Sequence, residues 1–337
     1  MVRLLPFTLD VDLLPKAWGG SRLGALYNDA TPRLGEAWLC ADLASTSASG
    51  AGGQPMVSRV SSPWTAGAKT LHEALAADPE ALLGFSTTRF PLLVKLLDAA
   101  EHLSVQVHPS PAYASTHPEA HLKSEAWYVL DAAPDAVLML GMRDIATADA
   151  LRAAAADGSL PSRIESVAAE PGRCCWLPSG LVHALGAGTL VFEVQAASDT
   201  TYRLYDWTAE YGRMPRALHV EAGAEATDYT ARAVWGRIGP EMREGLVITT
   251  PDFLLGRVAG GTVGAVDRVL PDAPAPRAHI LVPIGASAVL EGVDGSMVVP
   301  PARATVVPAS ATERWTLHTE TGGLVLVVRV CAPSDAP

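Results

Sequence analysis

The stretch from Leu103 to Tyr128 restricts the fold of this chain more than any other. Near its start, Ser104, Gln106 and His108 are spaced by two residues. In a β-strand that spacing places all three side chains on one face. The stretch therefore predicts an extended segment that presents an amide and an imidazole to the same side.

The end of the same stretch adds charged groups. Lys123 and Glu125 are also two residues apart, so they share a face if this segment is extended. A Gln oxygen, an imidazole and a carboxylate that meet in space form a site for a divalent metal. The stretch lacks a further imidazole suited to that site, and the chain supplies one later at His183.

Composition favours a mainly β protein with two units. The 337 residues are too many for one domain of average size and about right for two. Hydrophobic residues make up 49% of the chain, and 29 glycines and 26 prolines separate many short Val and Leu runs. We expect a first unit over residues 1–240, which carries the metal site, and a smaller all-β unit over residues 246–337 without a metal of its own.

Charge and cysteine usage exclude several classes of protein. The net charge of −11 and the pI near 5.3 argue against nucleic acid or an anionic membrane as the main partner. A small anionic substrate stays possible, because a local cluster of cations can outweigh the mean charge in a cleft. Asp10 and Asp12 interrupt the apolar run that a signal peptide needs, and no stretch reaches the roughly 18 apolar residues of a membrane helix. The four cysteines form no CxxC framework, so we expect a cytoplasmic protein with reduced thiols.

Two stretches have the pattern of capped helices. Thr70 to Leu83 is predicted to be helical, with Thr70 as its cap and Pro79 dividing it in two. Thr147 to Asp157 is predicted to be a second helix, with a threonine cap and a glycine directly after its end.

Elsewhere the pattern predicts strands, some with unexpected charges. Trp127 to Leu140 alternates like two paired strands around a turn, and residues 213–245 are predicted to be a connection followed by a strand. Lys95 interrupts an apolar run, where it must either meet an anion or extend to solvent along its stem. Glu36 lies in an extended run, and its local pattern favours a solvated strand charge over a site residue.

The segment from Gly172 to His183 carries a specific motif. It fits the pattern G-x5-P-x-G-x2-H, the second half of the cupin signature. Gln106 stands where the first cupin half normally has a histidine, and Glu125 arrives late, after an inserted loop. Together with the motifs around it, this departure makes the chain resemble the type I phosphomannose isomerases in their short bacterial form. The further motifs that carry the resemblance are QVHP (106–109), K-x-E-x-W-Y (123–128), PSGxVHALG (178–186), E-x-Q-x-x-S-x-T-T-Y-R-L-Y-D (193–206), GEAW (35–38) and FPLLVKLLDA (90–99).

The resemblance implies both a fold and a cofactor. The fold is a cupin barrel, a double-stranded β-helix of the jelly-roll type with a few short helices, followed by a second, smaller cupin-like β domain. The cofactor is one zinc ion per chain, and the implied ligands are Gln106, His108, Glu125 and His183. These ligand types agree with what zinc accepts in a catalytic site that keeps one position open.

The resemblance also implies an activity, the interconversion of mannose 6-phosphate and fructose 6-phosphate. This reaction moves a proton between C2 and C1 through a cis-enediolate, whose negative charge needs nearby cations. The residues implied at the catalytic centre are Arg203, Lys123 and Glu193, and those implied at the substrate phosphate are Ser104 and Lys95. The base stays open between Lys123, Glu193 and a zinc-bound water.

Two other classes of function stay open. His108, Glu125 and His183 have the composition of the two-His-one-carboxylate set of an iron dioxygenase. Gln106 and the cationic pair count against that class, because an oxygenase has no need of such a pair. A different sugar-phosphate isomerase and a non-catalytic cupin that binds sugar phosphates are the remaining alternatives. The sequence does not indicate the oligomeric state.

Overall fold

Antiparallel β-sheets stacked in layers form the framework of the fold, as seen in a computed structural model that describes residues 4–47, 52–61, 67–237 and 243–333. Within those residues the strands form sheets of seven, six, five, four and two strands. In chain order the strands are β1 (Phe7–Thr8), β2 (Asp12–Gly20), β3 (Leu34–Cys40), β4 (Asp42–Leu43), β5 (Met56–Val57), β6 (Leu92–Ala99), β7 (Val105–Val107), β8 (Glu125–Ala132), β9 (Val137–Met142), β10 (Ile164–Ala168), β11 (Cys174–Leu177), β12 (His183–Leu185), β13 (Thr189–Ala196), β14 (Tyr202–Tyr205), β15 (Val234–Trp235), β16 (Glu244–Thr249), β17 (Phe253–Ala259), β18 (Val263–Ala265), β19 (His279–Ile284), β20 (Ala288–Gly292), β21 (Gly295–Val299), β22 (Thr305–Val307), β23 (Trp315–Thr319) and β24 (Leu324–Val330).

The helices of the described residues are short. They are α1 (Arg22–Tyr27), α2 (Leu71–Ala77), α3 (Pro79–Leu83), α4 (Pro111–Ala114), α5 (Ala148–Ala156), α6 (Thr208–Tyr211) and α7 (Val220–Ala226), with 3-10 turns at Leu160–Arg163 and Ala309–Arg314. The described part of the chain contains no helix with both the length and the apolar character that crossing a bilayer requires. Its four cysteines are all buried, and among the described residues none of them forms a disulfide.

The sheets differ in which part of the chain they use. The seven-stranded sheet has the order β15-β11-β8-β13-β6-β2-β3, and the five-stranded sheet has the order β10-β9-β12-β7-β14. The six-stranded sheet, β1-β22-β19-β24-β17-β16, and the four-stranded sheet, β18-β23-β20-β21, come mostly from the last third of the chain. The mainly β fold that the sequence indicated, with a second β unit after the first, is confirmed.

The five-stranded and seven-stranded sheets pack face to face. The core between them contains Trp18, Leu97, Trp127, Leu138 and Val191, all buried. The outer side of the five-stranded sheet is covered by α5 and α7. Because strand side chains alternate between the two faces of a sheet, one face of each sheet lines the core between them. Beyond the end of this apolar core, the same inner faces can carry polar residues.

The outer side of the seven-stranded sheet packs against the six-stranded sheet. Their shared core joins Phe192 and Val194 of β13 to Leu255 of β17 and Val328 of β24. The N-terminal strand β1 also crosses over to pair with β22 in the six-stranded sheet. The two units therefore share one apolar layer. The domain boundary expected between 240 and 246 stays a prediction, since residues 238–242 lie outside the described part of the chain.

The predicted helices are confirmed together with their caps. Thr70 Oγ1 accepts a hydrogen bond from the backbone N–H of Glu73 at 3.1 Å and caps α2. Pro79 begins α3 instead of continuing α2, with Asp78 as the cap. Thr147 caps α5 in the same manner.

Two local predictions are wrong. Residues 127–140 do not form a strand pair, since β8 belongs to the seven-stranded sheet and β9 to the five-stranded sheet. The turn between them carries the chain from one sheet to the other, because each strand must bury its own inner face in the core between them. Within 213–245 there is a helix, α7, before the predicted strand, and its small residues let it lie close on β14.

We expect Leu255→Ala to lower the free energy of unfolding by about 2–5 kcal/mol, because it leaves a cavity in the core shared by both units. Because that core is shared, calorimetry should show a single unfolding transition for the wild type and for the variant. Val293→Ala is the matched control: its side chain is 81% exposed, and it should change stability by less than about 0.5 kcal/mol. Two resolved transitions, only one of them shifted, would contradict the shared core.

Candidate active site

Three side chains of the types that can bind a metal converge between the five-stranded and seven-stranded sheets. His108 follows the end of β7, His183 begins β12, and Glu125 begins β8. The two imidazoles therefore come from neighbouring strands of one sheet and the carboxylate comes from the other sheet. Ligand atoms of the three buried side chains all lie within 4.8 Å of one another.

Backbone carbonyls set the orientation of both imidazoles. Nδ1 of His108 donates to the carbonyl of Thr200 at 3.0 Å, and Nδ1 of His183 donates to the carbonyl of Leu181 at 2.9 Å. Each ring then carries its proton on Nδ1 and turns the lone pair of Nε2 towards Glu125. In metal sites the same arrangement fixes the tautomer that binds the ion.

The Glu125 carboxylate faces two lone pairs instead of two protons. Its Oε2 lies 3.2 Å from Nε2 of His108, and its Oε1 lies 3.2 Å from Nε2 of His183. Oε1 is buried and has no hydrogen-bond partner among the described residues. Electron-rich atoms directed at one space are costly to bury unless a cation joins them. The residues present therefore fit a divalent metal, and two nitrogens with one oxygen suit zinc or iron.

Gln106 stands next to this donor set. It lies directly opposite His183 in the pairing of β7 with β12. Its Nε2 is 3.2 Å from Nε2 of His183. A half-turn of the amide would exchange nitrogen for oxygen at that position. This placement is compatible with Gln106 as a fourth ligand, which is the role that the sequence predicted.

The ammonium group of Lys123 neutralises part of the charge of the donor set. Its Nζ donates to Oε2 of Glu125 at 2.8 Å and to Nε2 of His108 at 3.0 Å. Burial would raise the pKa of Glu125, but the Lys123 ammonium holds that pKa well below its ordinary value. Burial, together with the same ammonium, lowers the pKa of His108 to about 3. At neutral pH the carboxylate is therefore charged and the His108 ring is neutral, as metal binding requires.

A row of side chains across the seven-stranded sheet forms another wall of the cavity. Lys95 lies directly opposite Trp38 on one side and Glu193 on the other, and Glu193 lies opposite Trp127. The Lys95 ammonium is 3.2 Å from Oε1 of Glu193, 2.9 Å from Oε1 of Gln195 and 4.9 Å from the Trp38 ring centroid. Trp127 Nε1 donates to Oε2 of Glu193 at 3.0 Å. Lys95 is thus buried and paired with an anion, and does not extend to solvent.

Arg203 reaches the cavity from the five-stranded sheet. It lies opposite Gln106 in the pairing of β14 with β7. Its Nη1 donates to the carbonyl of Ala217 at 2.9 Å, while its buried Nε has no hydrogen-bond partner among the described residues. Burial, followed by the nearby Arg216 guanidinium, lowers the pKa of Arg203. Ser104, also buried, lines the same cavity with its Oγ 3.5 Å from Oε1 of Gln106.

Comparison with known proteins identifies the family of this chain. Residues 7–141 match the family described as phosphomannose isomerase type I, catalytic domain. The chain is 37% identical over 226 residues to "Probable mannose-6-phosphate isomerase GmuF" of Bacillus subtilis, a match that covers 65% of this chain and 67% of that protein. The chain belongs to the type I phosphomannose isomerase family. The resemblance that the motifs indicated, and with it the enzyme class, is confirmed.

Solved structures of phosphomannose isomerases share the architecture. The crystal structure of the mannose 6-phosphate isomerase from Bacillus subtilis superposes with a TM-score of 0.79 at 26% identity, covering 97% of this chain and 100% of that chain. A holo, zinc-bound mannose 6-phosphate isomerase superposes with a TM-score of 0.71 at 17% identity, again over 97% of this chain and 100% of that one. The second likeness shows the fold alone.

All of the predicted site residues of this phosphomannose isomerase family member line the cavity or belong to the donor cluster beside it. The individual roles stay predictions. Sequence reasoning missed Arg216, a cavity residue whose guanidinium pairs with Asp206. It lies in a loop without a motif, so no signal pointed to it. Glu36, which seemed more typical of a solvated strand charge, also lines the cavity, where it accepts from Trp38 Nε1 at 2.6 Å and lies 3.4 Å from Lys16 Nζ.

We expect Glu125→Gln to remove most of the bound metal from the folded chain. The amide keeps the volume but loses the negative charge that joins the two imidazoles, so the metal content of dialysed protein should fall to well below one ion per chain. Glu193→Gln is the matched control in the same cavity, because Glu193 lies outside the donor cluster, and it should retain its metal. Elemental analysis of both variants checks the prediction, and equal metal content in the two would exclude Glu125 as a ligand.

Proposed function

We propose that the chain is a zinc-dependent isomerase that interconverts mannose 6-phosphate and fructose 6-phosphate. The observation that carries the proposal is that the His108–Glu125–His183 donor cluster lies beside a cavity lined by the cationic side chains of Lys123 and Arg203. Family membership supports the substrate, since the relatives are described as mannose-6-phosphate isomerases.

The metal would be held by His108, Glu125 and His183, with Gln106 as the proposed fourth ligand. Zinc accepts this mixture of imidazole, carboxylate and amide donors. A bound divalent cation would supply Lewis-acid stabilisation of negative charge that develops on sugar oxygens. The single carboxylate in the proposed donor set leaves such a site with net positive charge, which suits an anionic intermediate.

The isomerisation requires that one proton leave C2 of the open-chain aldose and one return to C1. Removal of the C2 proton leaves an enediolate with negative charge shared between O1 and O2. Lys123 and Arg203 are cations already held in place by backbone and side-chain contacts, so they can stabilise that charge without reorganisation. We assign them this role and assign proton transfer to either Lys123 or Glu193.

Glu193 is positioned for its role by two partners. Trp127 donates to one carboxylate oxygen and Lys95 pairs with the other, which fixes the rotamer of Glu193 at the cavity wall. The expected contact of Lys95 with the substrate phosphate stays a proposal, and Ser104, Arg203 and Arg216 are the further donors that the cavity offers to a phosphate.

A coupled assay for fructose 6-phosphate formed from mannose 6-phosphate tests the proposal. We expect activity in the metal-loaded chain, loss of activity on chelation, and recovery when zinc is added back, because chelation would remove the Lewis acid proposed to stabilise the developing negative charge. Recovery with iron and not with zinc would favour the alternative metal. No activity in the zinc-loaded chain would exclude the isomerase function for this substrate.

Replacement of Arg203 separates chemistry from metal binding. Arg203→Ala should lower kcat by about 10²–10³-fold, the usual cost of removing one donor to a developing oxyanion, while zinc content stays full. Arg163→Ala is the control, since this arginine contacts Asp144 on an exposed surface outside the cavity, and its kcat should not change. An unchanged kcat in Arg203→Ala would remove this residue from the chemistry.

A further inference from the structure

A second cavity lies in the C-terminal unit and shares no lining residue with the active site. It is lined by the segment 272–277, by His279 at the start of β19, by Arg329 near the end of β24, by Thr312 and by Asp267. The sequence predicted no metal site in this unit and assigned no role to His279. In the structure His279 is buried and lines this second cavity.

His279 and Arg329 face the interior of the C-terminal unit. They lie directly opposite each other in the pairing of β19 with β24. Residues opposite each other in a sheet project to the same face, and so do residues two positions apart. Leu281 and Val327, two positions further in, belong to the core between the six-stranded and four-stranded sheets. His279 and Arg329 thus continue that inner face at its polar end.

Neither side chain has the partner that its burial requires. His279 is 1% exposed, and neither ring nitrogen makes a well-formed hydrogen bond among the described residues, although the Arg277 backbone lies near enough to act on the pKa of the ring. Arg329 is 7% exposed, donates through Nη1 to the carbonyl of Pro271, and forms no ion pair with a carboxylate in the described ranges. A buried guanidinium is normally matched by an anion, and a buried imidazole by a donor or acceptor. An oxyanion would meet both requirements, because it would pair with the guanidinium and accept a hydrogen bond from the imidazole.

The remaining polar groups restrict what kind of anion fits. Arg277, also buried, adds a second guanidinium to the lining. Asp267 is half-buried and Asp272 is exposed, so two carboxylates lie along the same cavity. Carboxylates repel a bare anion but accept hydrogen bonds from hydroxyl groups. A ligand with an anionic end and hydroxyl groups at the other end satisfies both halves of the lining.

We propose that this cavity binds a small hydroxylated phosphate monoester, with the phosphate on Arg329 and His279 and the hydroxyl groups towards Asp267 and Asp272. The guanidinium fork offers two parallel N–H donors to phosphate oxygens, and a neutral imidazole offers one more. Burial and the Arg329 charge lower the pKa of His279 to about 3, so the ring binds as a neutral donor. This site is separate from the catalytic centre and does not depend on the proposed reaction.

Histidine-labelled NMR of the zinc-loaded full chain tests the site directly. The probe is glycerol 3-phosphate, and the His279 ring signals are identified by their absence in His279→Gln. We expect these signals to shift saturably in the wild type and also in Arg203→Ala, where the active site has lost a cation. Arg329→Gln should need about tenfold more ligand for the same shift. No shift of the His279 signals in the folded wild type would overturn the proposal.

Matched controls separate the site from general effects of charge. Arg303→Gln removes a half-buried arginine that pairs with Asp10 outside this cavity, and it should leave the affinity unchanged. If Arg329→Gln does not fold, Arg329→Lys keeps the charge but loses the fork and should bind several-fold more weakly. Equal affinity in the folded Arg329 variant and in the wild type would overturn the assignment. Tighter binding of inorganic phosphate than of glycerol 3-phosphate would overturn the role given to Asp267 and Asp272.

Discussion

The fully buried carboxylate of Glu125 is the constraint around which the first unit is arranged. A buried charge is tolerated only where other charges or polar groups meet it. Two imidazole nitrogens from the opposite sheet and the Lys123 ammonium surround it, and the ammonium keeps its pKa well below the ordinary value. The two sheets must therefore meet at one register, because a shift of one residue in either strand would turn a ligand away from the cavity.

The two faces of the seven-stranded sheet lie in different environments, because side chains alternate between the faces along each strand. In β13, Phe192 and Val194 point to the apolar layer shared with the C-terminal unit, while Glu193 points to the cavity. The apolar layer holds the sheet rigid from behind, so polar side chains on its front can be held in fixed positions. Lys95 and Glu193 compensate each other's charge there, and Trp127 holds the carboxylate from a third side.

The same arrangement of sheets occurs again in the C-terminal unit with a different polar end. Its core is apolar along most of its length, and then β19 and β24 place a histidine and an arginine on the inner face. Packing does not explain the cost of burying His279 without a well-formed hydrogen bond and Arg329 without a carboxylate among the described residues. An oxyanion ligand would account for that cost. The C-terminal unit would then bind a ligand of its own and would not serve only to support the first unit.

The sequence alone was sufficient for the class of fold, the chemistry of the donor set and several element boundaries. Period-two spacing at Gln106 and His108, and caps such as Thr70, are local rules of backbone geometry that need no tertiary contact. Only the tertiary structure decided which strands pair, since β8 and β9 are adjacent in the chain but lie in different sheets. The partner of Lys95, the cavity position of Glu36 and the presence of Arg216 were decided in the same way. These depend on contacts between residues far apart in the chain, and a local sequence pattern carries no information about which distant carboxylate a buried cation will meet.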